Sequence, residues 1–310
     1  MTFPLVSIII PVFNRENLIG KSVDSALMQN YGNREIIVVD DGSTDRTVEV
    51  LEGYGSRITL VRQKNSGPSA ARNLGVKISH GEILAFLDSD DSWSEDKISR
   101  QVELLLKGGE RVPCCICNAS IHSIDHHQTN SFDSADVLSH LDSGYWLNAD
   151  EIIASRFILF NQVVAVRKSA FERIGGFRES LDVLEDYDLA LRLSLLGPWA
   201  FISDPLVQKF NDPAGIGVRA MSEEKVHSSA WKKVLEVFLS ENPEAKLGVR
   251  KTLETTLRGV RIWIIALNLL ERGGMGACAG RAILIYSRCR KAMWRRLPSW
   301  PRPRTVSELV

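Results

Sequence analysis

The sequence predicts an α/β fold built on a Rossmann-like sheet with helices on both faces, followed by a helical C-terminal extension. Three observations carry this. Val6-Ser7-Ile8-Ile9-Ile10 and Glu35-Ile36-Ile37-Val38-Val39 are short, β-branched, almost wholly apolar runs, as expected of parallel strands covered on both faces. Between them Leu18, Val23, Ala26 and Leu27 recur at helical spacing, which makes a strand, helix, strand unit. Polar clusters at 40–45, 65–69 and 88–92 each follow a strand-like run, so they belong along one edge of the sheet.

The remaining elements continue the alternation. Arg46–Tyr54 is helix-like and Ile58–Gln63 strand-like, and Ser69–Ile78 is a helix that follows a Gly-Pro start signal. Ile83–Leu87 is a fourth buried strand, and Lys97–Lys107 a helix. Residues 108–150 mix Gly, Cys, His, Ser and Asp without a steady period. Strand character returns at Gln162–Val166, an acidic helix begins at Glu185, and Leu253, Leu257, Val260, Ile264 and Leu267 keep helical spacing in a tail that is helical from about 222. This divides the chain into an α/β body, 1–220, and a helical extension, 221–310.

Composition excludes several classes. With 310 residues, 44% hydrophobic and 25% charged, the chain is neither disordered nor collagen-like. Its 38 Lys+Arg balance 38 Asp+Glu, which disfavours a nucleic-acid partner. The balance is a sum of unlike parts. Residues 250–310 hold 13 Lys/Arg and 3 Glu, leaving 25 basic and 35 acidic residues before them. A basic tail with Trp263, Trp294 and Trp300 suits either an anionic membrane surface or packing on the body or a second subunit.

Five cysteines, an odd number, fit reduced thiols in a cytoplasmic protein. Cys114-Cys115-Ile116-Cys117 lacks a second ligand pair and reads as a buried apolar run, while His122, His126 and His127 lie in what reads as a loop. Met1–Pro11 has no basic start or cleavage site and is better a strand than a signal peptide. Ile262–Leu270 falls far short of the roughly 20 residues that span a bilayer.

Chemistry concentrates at the strand ends. Asp88-Ser89-Asp90-Asp91 places three carboxylates after a buried strand, a costly concentration of like charge unless a cation sits among them; an acidic helix cap is the plainer alternative. Asp40-Asp41-Gly42-Ser43-Thr44-Asp45 offers carboxylates to a base or ribose, or caps a helix. In Pro11-Val12-Phe13-Asn14 the aromatic is placed to lie against a nucleobase or to enter the core.

The runs VSIIIPVFN (6–14), EIIVVDDGSTD (35–45), NSGPSAARN (65–73), FLDSDD (86–91) and GGFRESLDVLEDYDLALRL (175–193) together resemble a family 2 glycosyltransferase of GT-A fold, over about residues 5–210. The resemblance implies a mixed GT-A sheet and a Mn²⁺- or Mg²⁺-dependent transfer of a sugar, with inversion, from a nucleotide-sugar to an acceptor hydroxyl. Such acceptors are glycans or lipid-linked sugars of cell-surface polysaccharide, lipopolysaccharide or glycolipid assembly.

By the same resemblance Phe13 and Asp41 contact the base, with Asp40 beside them, and Asp88 approaches the ribose. Pro11, Asn14, Asn65, Gly67 and Ser89 complete the nucleotide pocket, as does Arg72 unless it is structural. Asp90 holds the metal, with Asp91 as second ligand. Asp186 is the base that deprotonates the acceptor, the plainer alternative being a first-turn acid favoured by the helix dipole, a purpose Asp188 could also serve, and Arg219 is a diphosphate contact. The enzyme is then expected in the cytoplasm or on the inner face of the cell membrane. The rival readings are an inactive sugar-binding relative, or another nucleotide enzyme such as a nucleotidyltransferase. A dinucleotide or P-loop enzyme is excluded, since neither GxGxxG after the first strand nor GxxxxGK[ST] is present.

Overall fold

A computed structural model describes residues 3–122, 128–137, 140–156, 160–210, 224–271 and 303–309. The first four strands, β1 (Val6–Val12), β2 (Arg34–Asp40), β3 (Thr59–Arg62) and β4 (Ile83–Phe86), are mutually parallel in the order β3-β2-β1-β4. Helices α1 (Ile19–Leu27), α2 (Thr47–Glu52) and α3 (Pro68–Ile78) join them. The chain runs outward from β1 to β3 and returns across the sheet to β4. This opens a crevice at the carboxyl ends of β1 and β4, where open α/β sheets take their ligands.

Strand alternation explains why both faces are covered. Ile36 and Val38 of β2 join the main core, whereas Ile37 and Val39 pack with Ala71 of α3 on the other side. A Cβ at Gly75 would stand 2.5 Å from Ile9 Cγ2, so α3 lies on β1 at a distance that glycine alone permits.

The second half makes the sheet mixed. β5 (Ser92–Trp93) and α4 (Lys97–Gly108) lead to β6 (Cys114–His122), a long buried strand. β7 (Gln128–Asn130), α5 (Ser131–Ser134), β8 (Ser143–Trp146) and α6 (Ala149–Ser155) follow. A 3-10 turn, Asn161–Val163, then precedes β9 (Val164–Arg167), α7 (Lys168–Arg173), α8 (Glu185–Ser194) and β10 (Trp199–Phe210). β9 is antiparallel to both β4 and β6, and β10 is parallel to β6.

The expected run of buried thiols opens β6, where burial pushes Cys114 and Cys115 well up and Cys117 to about 11. The 108–150 region lacked a legible period because β6 also buries Asn118 and Ser120. Asn118 Oδ1 accepts from Ser131 Oγ at 2.8 Å and from the Phe132 amide at 3.0 Å, so a polar strand position is satisfied internally.

Two helices, α9 (Glu224–Glu241) and α10 (Leu247–Glu271), pack on α8 and α6 through Val234, Leu235, Phe238 and Leu253. Among the described residues no helix is long and apolar enough to cross a membrane. The chain then returns to the sheet, because β11 (Thr305–Val306) pairs antiparallel with β8. A Cβ at Gly144 would lie 2.4 Å from the Val306 carbonyl, so this edge is shaped for the strand it receives.

Candidate active site

The β1 end is tied to the β2 end by backbone and side chain together. The Asp41 amide donates to the Val12 carbonyl at 2.8 Å. Asn14, with φ 51°, donates its amide to Ser43 Oγ at 2.9 Å and accepts the Thr44 amide on Oδ1 at 2.8 Å. Asparagine tolerates this left-handed conformation, and it turns the chain shortly after Val12, the last residue of β1 paired in the sheet. Phe13, between them, remains 40% exposed.

Asp40 and Asp41 are both buried but differ in use. Asp40 accepts the Ser43 amide at 3.2 Å and lies 3.2 Å from Arg62 Nε. Asp41 accepts Gln63 Nε2 at 2.7 Å and the Ser66 and Gly67 amides at 2.8 Å each, so it fastens the segment containing Asn65 and Gly67 onto the end of β2. Three of its roughly four acceptor positions are thereby taken. Gly67, with φ 89°, occupies the residue before α3 in a conformation that leads the helix away from this loop.

Asp88, Ser89, Asp90 and Asp91 follow β4 across the crevice. One carboxylate oxygen from each of the three acids lies within 4.8 Å of the others, a hard-oxygen set that suits Mg²⁺ or Mn²⁺. The electrostatics agree with that fit. Burial and the Asp88 charge push Asp90 up, and burial pushes Asp91 up to about 7 against the opposing pull of Lys209. Asp91 also accepts the Phe210 amide at 2.9 Å and has Lys209 Nζ at 3.4 Å, so it ties the Asp88–Asp91 loop to the end of β10. Asp88 behaves oppositely: burial alone would raise it, but Arg72 and Lys209 outweigh burial and hold it below the ordinary carboxylate range.

Arg72 is almost fully buried on α3. It bridges two elements, donating Nη2 to Asp88 at 2.7 Å and Nη1 to Glu185 at 3.0 Å. Glu185 opens α8, and Leu184 before it adopts φ 63°, a left-handed conformation that a leucine avoids by about 1–2 kcal/mol. The strain falls where Glu185 and Asp186 must be aimed. Asp186 accepts its neighbour's amide, Tyr187 N–H, at 2.7 Å, and burial followed by the Glu185 charge pushes it up to about 7. Asp188 is instead fully buried between Arg178 (3.1 Å) and Arg192, as a structural counter-ion to both.

The crevice thus gathers Phe13 and the Asp41-fastened loop on one side, the Asp88–Asp91 carboxylates in the middle, and Glu185–Asp186 on the other. Pattern reading named these strand ends and the acidic helix start. It did not name Asn161, Gln162 or Lys209 individually. The amides give no periodic signal, and Lys209 becomes informative only once β10 lies beside the Asp91 loop. Arg219, His126 and His127 lie outside the described residues. His122 is on β6, stacked on Phe210 at 4.8 Å and bound to Gln208 at 2.7 Å.

This mixed sheet, with carboxylates collected at its strand ends, is the GT-A architecture. The match to the Glycosyl transferase family 2 model runs over residues 7–173, and the chain belongs to that family. A glycosyltransferase of Rickettsia typhi, described as uncharacterised, is 30% identical over 244 residues, 75% of this chain and 72% of that protein. An Escherichia coli UDP-Glc:alpha-D-GlcNAc-diphosphoundecaprenol beta-1,3-glucosyltransferase, WfgD, is 45% identical over 105 residues, 33% of this chain and 42% of that one.

Among solved structures, S. aureus TarS 1-349 in complex with UDP-GlcNAc superposes with a TM-score of 0.65 at 19% identity, covering 84% of this chain and 75% of that one. The Pyrobaculum calidifontis mannosyltransferase PcManGT, in complex with GDP-Man and Mn²⁺, gives 0.56 at 18%, covering 95% and 88%. At such identities these two likenesses speak for the fold.

Proposed function

We propose that the protein transfers a sugar, with inversion, from a nucleotide-diphosphate-sugar to an acceptor hydroxyl of a glycan or lipid-linked intermediate. The observation that carries this reading is the pairing, across one crevice, of a three-carboxylate oxygen cluster with a carboxyl raised to about 7. The first is suited to a metal diphosphate and the second to a general base near neutral pH.

In this reading Phe13 stacks on the base, with Asp41 using its remaining lone pair there and Asp40 shaping the turn. Pro11, Asn14, Asn65, Gly67 and Ser89 line the nucleotide, and Asp88 meets the ribose. Asp90, with Asp91, would hold Mn²⁺ or Mg²⁺, which when bound supplies charge stabilisation for the departing diphosphate. Lys209 adds positive charge beside the same carboxylates. Asp186 takes the proton of the acceptor hydroxyl as its oxygen attacks the anomeric carbon from the face opposite the breaking C–O bond. Inversion follows from that single displacement.

WfgD's acceptor, a diphosphoundecaprenol-linked sugar, supports a lipid-linked acceptor here and a place in cell-surface polysaccharide or glycolipid assembly on the inner membrane face. Catalysis then resides in 1–220, and 221–310 brings the enzyme to the surface. Lys251 and Arg258 lie exposed on the same stripe of α10 as the exposed Ile262 and Ile265, a cationic and apolar face of the kind that settles on anionic lipid.

A thermal-shift screen of nucleotide-sugars with Mn²⁺ tests the donor site, since a bound donor raises the melting temperature by mass action. A donor that stabilises only with metal is the expected result, and no shift across the panel refutes the reading. Flotation with anionic vesicles at low salt, with and without residues 250–310, tests the tail; equal flotation rejects docking.

A further inference from the structure

The two halves of the crevice are joined by a closed circuit of side chains. Arg72 forms one link, from Asp88 to Glu185. The 3-10 turn forms the other: Gln162 Nε2 donates to Asp88 Oδ2, and the neighbouring Asn161 Nδ2 donates to Glu185 Oε1 at 3.3 Å. Because both acceptors are carboxylates, the amide orientations are fixed with nitrogen toward the acid.

The turn is itself held from behind. Trp93 donates its indole N–H to the Gln162 carbonyl at 3.0 Å, and Gln101 donates to the Val163 carbonyl at 2.7 Å. Both amide side chains are buried, with 4% and 3% exposure, and among the described residues their carbonyl oxygens meet no donor, so the hydrogen bonds these side chains make run through the nitrogen ends.

We infer that Asn161 and Gln162 are positioning residues that set the nucleotide-side Asp88 and the base-side Glu185–Asp186 at a fixed separation. The inference rests on the transferase reading above and extends it. Gln162 acts through Asp88, so its loss weakens the grip on the nucleotide. Asn161 acts through Glu185, so its loss disturbs the aim of Asp186. A role confined to stability would move both properties together.

The test compares Gln162→Met and Asn161→Leu with the wild type by calorimetric titration of Mn²⁺ with UDP and, in parallel, GDP, and by turnover. A hydrogen bond to a charged group is worth about ten- to a hundredfold in an equilibrium. Gln162→Met should therefore raise the nucleotide Kd about tenfold and lower kcat less. Asn161→Leu should lower kcat about tenfold and leave Kd within about twofold. Wild-type behaviour in both variants, or parallel losses of Kd and kcat that track melting temperature, overturns the inference. Should either variant fail to fold, Gln162→Glu and Asn161→Asp, which keep the shape and replace the donor, carry the same comparison.

A wild type that binds neither nucleotide speaks against the transferase reading instead. The circuit is then decided by thermal unfolding of Gln162→Met, Glu185→Gln and the double variant. These side chains share no hydrogen bond, so non-additive losses support the circuit and additive losses end it.

Discussion

Replacing Arg72 by methionine removes a guanidinium that serves both sides of the crevice. Its side chain is 5% exposed, and its partners Asp88 and Glu185 keep only 22% and 14% of theirs. Breaking a buried pair from one side costs about 3–5 kcal/mol. Partial exposure of the carboxylates, and a buried Nε that meets no acceptor among the described residues, place this case near the lower end, about 3 kcal/mol.

For a chain of this size that lowers the melting temperature by about 6 °C. The loss has a definite pH dependence. Arg72 holds Asp88 below its ordinary value, a contribution present above the unfolded carboxylate pKa and lost as pH falls. The wild type and Arg72→Met should therefore differ fully at pH 8 and begin to converge only below about pH 4, as pH falls through the depressed Asp88 value, in differential scanning fluorimetry without metal. Equal melting at pH 8, or a gap that widens on acidification, would refute the reasoning.

Four further outcomes are expected. Asp186→Asn should keep the nucleotide Kd and lose transfer by about a hundredfold or more, as removal of a general base does; undiminished turnover removes Asp186 from the mechanism. Wild-type kcat should fall as pH drops through about 7, because Asp186 must be ionised to accept a proton; a flat profile between pH 5.5 and 8.5 contradicts this. Raised carboxylates destabilise the folded state as they ionise, so the metal-free protein should melt lower at pH 8 than at pH 5.5, with Mn²⁺ restoring more at pH 8; no Mn²⁺ effect at either pH counts against the Asp88–Asp91 cluster. Phe13→Ala should weaken nucleotide binding about tenfold if the exposed ring stacks on the base, read by calorimetry, and an unchanged Kd places Phe13 outside the pocket.

The parallel half of the fold and its crevice were legible because β1, β2 and β4 are short, largely apolar runs that end at or within two residues of Asn14, Asp40 and Asp88. The mixed half was less so. β10 carries Asp204-Pro205 in its middle, and the sheet accommodates them by shifting register on either side of Pro205, which no alternation rule anticipates. β11 is two residues long and gains its meaning from Gly144 opposite. At the site, carboxylates announce themselves by number and place, whereas Asn161 and Gln162 matter only through the acids they reach across long stretches of chain. The tail's surplus of positive charge was plain in the sequence. That its end returns to the sheet was not.

The central claim is a metal-dependent single displacement with Asp186 as base. Its most direct measurement is the anomeric configuration of the product, read by proton NMR after incubation with Mn²⁺, an acceptor and the donor that most raises the melting temperature. The account predicts a product inverted at the anomeric carbon, formed with Mn²⁺ and abolished by chelator. Retained configuration, or undiminished transfer in chelator, would contradict it.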